Sequence, residues 1–205
     1  MGHMTVRPVI GILALALPIL ALALPTLAPA ATYCVATADQ LRNALQSAAT
    51  SAGSDQIRIR SGTYGAPGLP GTQAQYELML TGNGDLDISG GWTDAACSQQ
   101  DPRAEVTILD GLGQRRIFDI GVTNTNGVSS TVWLRNTTIR RGSASGDGGC
   151  FRFQGFLGAG AALLLERVRF SECVSGARGG ALMARGRTGA DPCRRQPVRH
   201  QSCRL

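Results

Sequence analysis

The sequence predicts an all-β chain of short parallel strands stacked on one another, with a single α-helix over the first of them. Three observations predict it. The first is an internal echo. Leu134–Phe153 (LRNTTIRRGSASGDGGCFRF) aligns with Leu165–Ala184 (LERVRFSECVSGARGGALMA), pairing Leu134 with Leu165, Ile139 with Phe170 and Gly148-Gly149 with Gly179-Gly180, all at an offset of 31 residues. A fixed offset of this size marks stacked repeats, in which each unit buries its apolar face on the next. The second is a series of short apolar segments, regularly spaced and separated by Gly, Ser, Asn and Asp. The third is that one segment alone, near the start, has a helical period of useful length.

Taken in order, Arg7 precedes an apolar run from Val9 to Leu24, and Ala28-Pro29-Ala30 supplies small residues at a cleavage site after Ala30. Residues 1–30 therefore read as a secretory signal peptide. The rival is a retained span, since Pro8 to Ala31 carries no charge, but Pro18, Pro25 and Pro29 interrupt it. The opening Met-Gly-His-Met resembles a cloning remnant and carries no fold signal. Next, Thr37 or Asp39 is placed to cap a helix over about 38–49, in which Leu41, Ala44, Leu45 and Ala48 recur at three- and four-residue steps. Gln56–Arg60 alternates strictly, so Ile57 and Ile59 should face a core and Arg58 and Arg60 the solvent. Ser61–Gly65 then reads as a turn and Ala66–Gln75 as a Pro/Gly loop. Further strands are expected at Tyr76–Leu80, Leu86–Ile88, Glu105–Gly111, Arg116–Ile120 and Thr131–Leu134, with a loop from Trp92 to Pro102. Residues 31–184 form one domain on this reading. An antiparallel sandwich would suit the strand spacing too, but not the repeat and the helix.

The helix, the strand and the turn DQIRIRSGTYG together resemble the entry of right-handed parallel β-helix proteins of the pectate-lyase-like architecture. In those proteins an N-terminal helix caps the first coil. Phe170-x-x-Cys173 with Gly179-Gly180-Ala181-Leu182 also resembles the polymorphic outer-membrane-protein repeats, although Cys173 stands where that family has Asn and Cys150 where it has Ala. The β-helix resemblance covers roughly Thr32 to Ala184. It implies a right-handed parallel β-helix with an N-terminal capping α-helix; with the signal peptide, the expected location is secreted or cell-surface (periplasm or outer membrane in a bacterium). Residues 185–205 break the pattern and read as an irregular basic tail, expected to be the product of a truncation or frameshift, with a natural tail binding nucleic acid or acidic glycan as the rival.

The formal charge of +6 does not point to nucleic acid. Residues 31–177 hold 12 Arg against 13 acidic groups, and the excess sits in seven arginines from Arg178 onward. All six cysteines lie beyond the expected cut, as suits an oxidising compartment. Their connectivity stays open; Cys34 with Cys97 is the first pairing to test and Cys150 with Cys173 the second, although Cys150 aligns with Ala181 rather than Cys173.

No catalytic residue is expected. A calcium-dependent polysaccharide lyase needs clustered carboxylates and a neighbouring basic residue. Asp85 and Asp87 are the metal candidates, followed by Asp94, Asp110, Asp119 and Asp147; Arg115, Arg116, Arg140 and Arg141 are the bases. Asp in Gly-Asn-Gly-Asp and Asp-Gly is more often a turn residue bonding its own backbone. The Asp-Asp, Gly-His-Gly and Arg-x-Lys signatures that a hydrolase of the family implies are absent from the sequence. Gly82–Ile88 resembles a calcium-binding nonapeptide once and out of register, and Asn136-Thr137-Thr138 matches a glycosylation sequon. Trp92 and Trp133 are candidates for stacking on sugar rings. The expected function is extracellular interaction through a glycan or surface protein, by a monomer without cofactor, nucleic acid or membrane span. The alternatives are the lyase, which would bring in calcium, and a non-functional fragment of a longer surface protein.

Overall fold

The computed structural model describes residues 2, 30–65, 72–81, 84–123, 129–156 and 160–185. The signal segment, residues 66–71 of the early loop, the tail from 186 and the cysteines at 193 and 203 lie outside them.

The chain opens with strand β1 (Thr32–Val35) and helix α1 (Ala38–Ala49). Thr37 is the N-cap: its hydroxyl accepts the Gln40 N–H at 3.2 Å, while the Gln40 side chain reaches back to the Ala36 N–H at 2.8 Å. Two amide hydrogens at the helix start, which have no partner inside it, are satisfied this way. Leu41, Ala44, Leu45 and Ala48 form the buried stripe, and they pack on β1, β2 (Asp55–Arg60) and β4 (Ala74–Leu80).

The remaining strands are β3 (Gly62–Gly65), β5 (Leu86–Trp92), β6 (Thr107–Asp110), β7 (Arg116–Thr123), β8 (Ser130–Arg140), β9 (Ser143–Ala144), β10 (Phe151–Phe156), β11 (Ala161–Ser171), β12 (Val174–Ser175) and β13 (Leu182–Arg185). Every strand pairing is parallel. A first sheet runs β1-β2-β5-β8-β6-β3, with β11 also on β8; a second runs β13-β10-β7-β4; β9 and β12 form a third. From β6 onward consecutive strands belong to different sheets, so each of these strands pairs with one about a repeat away rather than with its chain neighbour.

This stacking puts like on like. Ile57 lies on Ile88, Ile88 on Leu134 and Leu134 on Leu165 in the first sheet. In the second, Tyr76, Phe118 and Phe151 form an aromatic column with ring centroids 5.4 and 5.3 Å apart. These side chains are inaccessible to water up to Leu134 and Phe151, while Leu165 and Leu182, in the last strands described, are half-buried. Burying such columns is the main stabilising term, since hydrophobic free energy scales with the apolar area removed from water.

The corners between strands have two solutions. Gly148 (φ +67°) and Gly179 (φ +66°) take the left-handed conformation at equivalent places, and a Cβ there would lie 2.4 and 2.3 Å from the carbonyl oxygens of Phe151 and Leu182. Glycine is required on both counts. Elsewhere non-glycine residues take the same conformation: Asn136 and Arg167 where β8 and β11 bend, and Arg141 and Glu172 at their ends. The two members of each pair are 31 residues apart, so the repeat extends to backbone conformation.

Among the described residues two disulfides, Cys34–Cys97 and Cys150–Cys173, tie strand β1 to the loop after β5 and the start of β10 to the segment after β11. Such bonds persist in oxidising compartments. Among the described residues no helix is long and apolar enough to cross a membrane.

Three expectations shift. Ser61–Gly65, read as a turn, holds strand β3, because Tyr64 turns inward onto Leu109 of β6. The strand expected at Leu86–Ile88 continues through Trp92 as β5, so Trp92, read as the start of a loop, ends a strand. Glu105–Gly111, read as one strand, begins with a 3-10 turn over Ala104–Val106 before β6.

Candidate functional site

Alternation along β2, over residues 86–89 of β5 and over residues 130–135 of β8 sends every second side chain to the outer face of the first sheet, and the parallel register lines these residues up. Gln56 neighbours Asp87, and Asp87 neighbours Trp133; Arg58 neighbours Ser89, and Ser89 neighbours Arg135, which neighbours Glu166 of β11. The Arg58 guanidinium lies over the Trp92 ring at 4.5 Å, and that of Arg135 over Trp133 at 4.3 Å. Both are cation–π distances. The Trp92 indole N–H donates to the Ser89 hydroxyl at 3.1 Å, and Arg58 donates to the Cys97 carbonyl at 3.0 Å, which joins the face to the disulfide-closed loop.

Asp87 and Glu166 stand 3.6 and 3.8 Å from the Arg135 guanidinium. One Asp87 oxygen (Oδ1) and Arg135 Nε are buried there without a hydrogen-bond partner. Burial pushes the Asp87 carboxyl above its ordinary range, and the Arg135 charge opposes the shift. The face thus carries two half-buried indoles, two guanidinium groups and two carboxylates. Trp92, Trp133 and Asp87, three of the sequence candidates, meet here.

The other candidates are spread apart, and each has work within the fold. Asp85 accepts the Thr131 backbone N–H at 2.7 Å and Asp147 that of Arg178 at 2.9 Å, each across to the next repeat. Asp94 accepts the N–H groups of Ser98 and Gln99 and the Ser98 hydroxyl, which lowers its pKa to about 2. Asp110 is 1 % exposed and receives Arg140 at 2.9 Å and Arg141 at 2.7 and 2.8 Å. Arg115 donates to the Thr72 carbonyl. Arg116 is buried, donating to Asp119 at 2.9 Å and to the Gly148 carbonyl at 2.7 Å. Among the described residues no three His, Cys, Asp or Glu gather as a set able to hold a metal ion, Asp85 and Asp87 included. Asn136, the sequon residue, is 2 % exposed, and its side-chain oxygen accepts Arg167 Nε at 2.6 Å. No glycosyltransferase reaches it in this fold.

A second feature was not singled out by the sequence. On the outer face of β4, β7 and β10, Met79 neighbours Gly121 and Gly121 neighbours Gln154; one row away Glu77, Asp119 and Arg152 align likewise. Together with Phe156 they line a groove of about 320 Å³. Alternation within β4 and β10 marks Glu77, Met79, Arg152 and Gln154 as outward-facing, but only the register between strands brings them together.

No protein-family model, curated protein or solved structure matches this chain.

Proposed function

We propose that this chain is a right-handed parallel β-helix, with residues 31–184 as its domain, that acts as a secreted or cell-surface protein and contacts extended glycans through the outer face of β2, β5 and β8. Parallel strands recurring at a 31-residue offset and a helix over one end support the fold. The two disulfides and the signal-peptide pattern of residues 1–30 support export.

The observation that carries the function is that Trp92 and Trp133 stand on the outside of the sheet, under arginines, rather than in the core. An indole fills a core well, so placing two on one outer face forgoes burial that the aliphatic columns obtain. A sugar chain has the matching chemistry. Its C–H faces pack on aromatic and guanidinium planes, while its hydroxyls bond to carboxylates and arginines such as Asp87, Glu166 and Arg135. The Arg135 and Glu166 side chains remain partly exposed on this face and are open to such hydroxyls.

A glycan array probed with the folded chain tests this reading. Binding is expected, and Trp92→Ala and Trp133→Ala should each weaken it about tenfold, the equivalent of roughly 1.4 kcal/mol of lost stacking. Binding to no glycan, or binding indifferent to both substitutions, would sink it. Release of unsaturated uronate from an acidic polysaccharide in calcium buffer would move the protein to the lyase class instead.

A further inference from the structure

We propose that the groove on the outer face of β4, β7 and β10 is a second and separate binding site, shaped for one uncharged pyranose ring. It goes beyond the indole face, which lies on the other large sheet and shares no residue with it.

The floor comes from Gly121. Glycine inside a strand weakens it and commonly marks a place where something approaches the backbone. With no side chain there, Met79 lays its thioether across the strand: a Cβ on residue 121 would lie 2.6 Å from Met79 Sδ and Cε and 3.2 Å from the Phe156 ring. The result is a continuous apolar strip. Met79 is 46 % and Phe156 37 % exposed, two of the few large apolar side chains left in water among the described residues. On this sheet the neighbouring outward row is charged, with Glu77, Asp119 and Arg152, so the strip is a local exception.

The polar side of the groove is balanced in charge. Asp119 is bound by two arginines, Arg116 at 2.9 Å and Arg152 through two hydrogen bonds. With Glu77 the cluster holds two carboxylates and two guanidinium groups. An anionic ligand would face Glu77 and Asp119, and a cationic one Arg152. A wholly apolar ligand would cover Glu77 and Gln154 without hydrogen-bonding them, and that desolvation is not recovered. What remains is a neutral ring with one apolar face and a hydroxylated edge. Its C–H face would lie on Met79 and Phe156, and its hydroxyls would reach Glu77 and Gln154. The volume of about 320 Å³ holds one such ring with its substituents and stands at the small end of ligand sites.

Saturation-transfer NMR and calorimetry on the full chain test the proposal. The probes are the methyl glycosides of glucose, galactose, mannose and N-acetylglucosamine, with galacturonate and p-cresol as the charged and apolar rings. At least one neutral glycoside should bind saturably at millimolar concentration, ahead of both controls. Phe156→Ala should weaken it about tenfold. Gly121→Val, which displaces the flexible end of Met79 and favours the strand, should do the same, with circular dichroism confirming that both variants fold. Trp92→Ala should leave this binding unchanged. No saturable binding of any neutral glycoside overturns the site, as does preference for galacturonate or p-cresol, or binding that survives both groove substitutions. Loss on Trp92→Ala but not on Phe156→Ala would also overturn it, while leaving the indole face standing.

Discussion

Phe118 is the middle ring of the aromatic column, between Tyr76 and Phe151, and is inaccessible to water. Phe118→Ala removes most of the apolar area of a benzyl group, on the order of 100 Å², worth about 2.5 kcal/mol at 25 cal/mol per Å². Two ring contacts add roughly 0.5–1.5 kcal/mol each. The total, about 4 kcal/mol, lies within the usual range for Phe→Ala in a core. Phe156→Ala is the internal control. It is the same substitution in the same sheet, on a side chain that already faces water, and should cost under about 1 kcal/mol. Urea unfolding with both disulfides intact, followed by the fluorescence of Trp92 and Trp133, measures the two. A difference of about 3 kcal/mol is expected. Equal losses, or a Phe118→Ala loss below about 1 kcal/mol, would mean that the column is not the core and that the strand register is wrong.

Four further outcomes are expected. At Asp110, burial raises the pKa, but bonds from Arg141, the Leu112 N–H and Arg140 outweigh it and hold the carboxyl below its ordinary value. Its contribution is therefore complete above the unfolded value of about 4 and lost as the pH falls through the lower folded value, so Asp110→Asn should flatten that part of an acid-denaturation curve. Asp87 runs the other way. Its folded pKa is raised, so the ionised form is disfavoured by folding, and Asp87→Asn should raise the thermal midpoint at neutral pH but not below about pH 4. The disulfides close spans of 63 and 23 residues. Loop-closure entropy then predicts that replacing Cys34 and Cys97 by Ser costs about 4 kcal/mol in urea unfolding and replacing Cys150 and Cys173 about 3. Glu172 is left-handed and exposed, so Glu172→Gly should raise stability by up to about 1 kcal/mol in the same assay, and a loss would refute strain at that corner.

Local features of the fold were legible because local chemistry sets them. Thr37 and Asp39 are both spaced to cap the helix, and Thr37 is the one that does, while Leu41, Ala44, Leu45 and Ala48 share one helical face wherever that helix packs. Ile57 and Ile59 face the core by the alternation of an extended chain, whatever strand lies beside them. Corners taken by glycine could be read; those taken by Asn136, Arg141, Arg167 and Glu172 could not, since nothing in those residue types demands a left-handed backbone. Of the site, Trp92, Trp133 and Asp87 were visible as residue types, but not as neighbours.

The sequence by itself determined the helix and its cap, the inward and outward sides of the strands, and a 31-residue period in the last two repeats. Only the tertiary structure decided which strand lies on which. The spacing between stacked residues is 31 from Asn136 to Arg167, 33 from Asp119 to Arg152 and 46 from Asp85 to Thr131. Connecting segments of unequal length absorb these differences, so no single period carries the register through the chain. Register is fixed instead by side chains meeting across the core, Tyr76 on Phe118 on Phe151. Both outer faces follow from it, because a strand that slipped by one residue would send Trp133, Asp87, Gly121 and Met79 to the opposite side of their sheets.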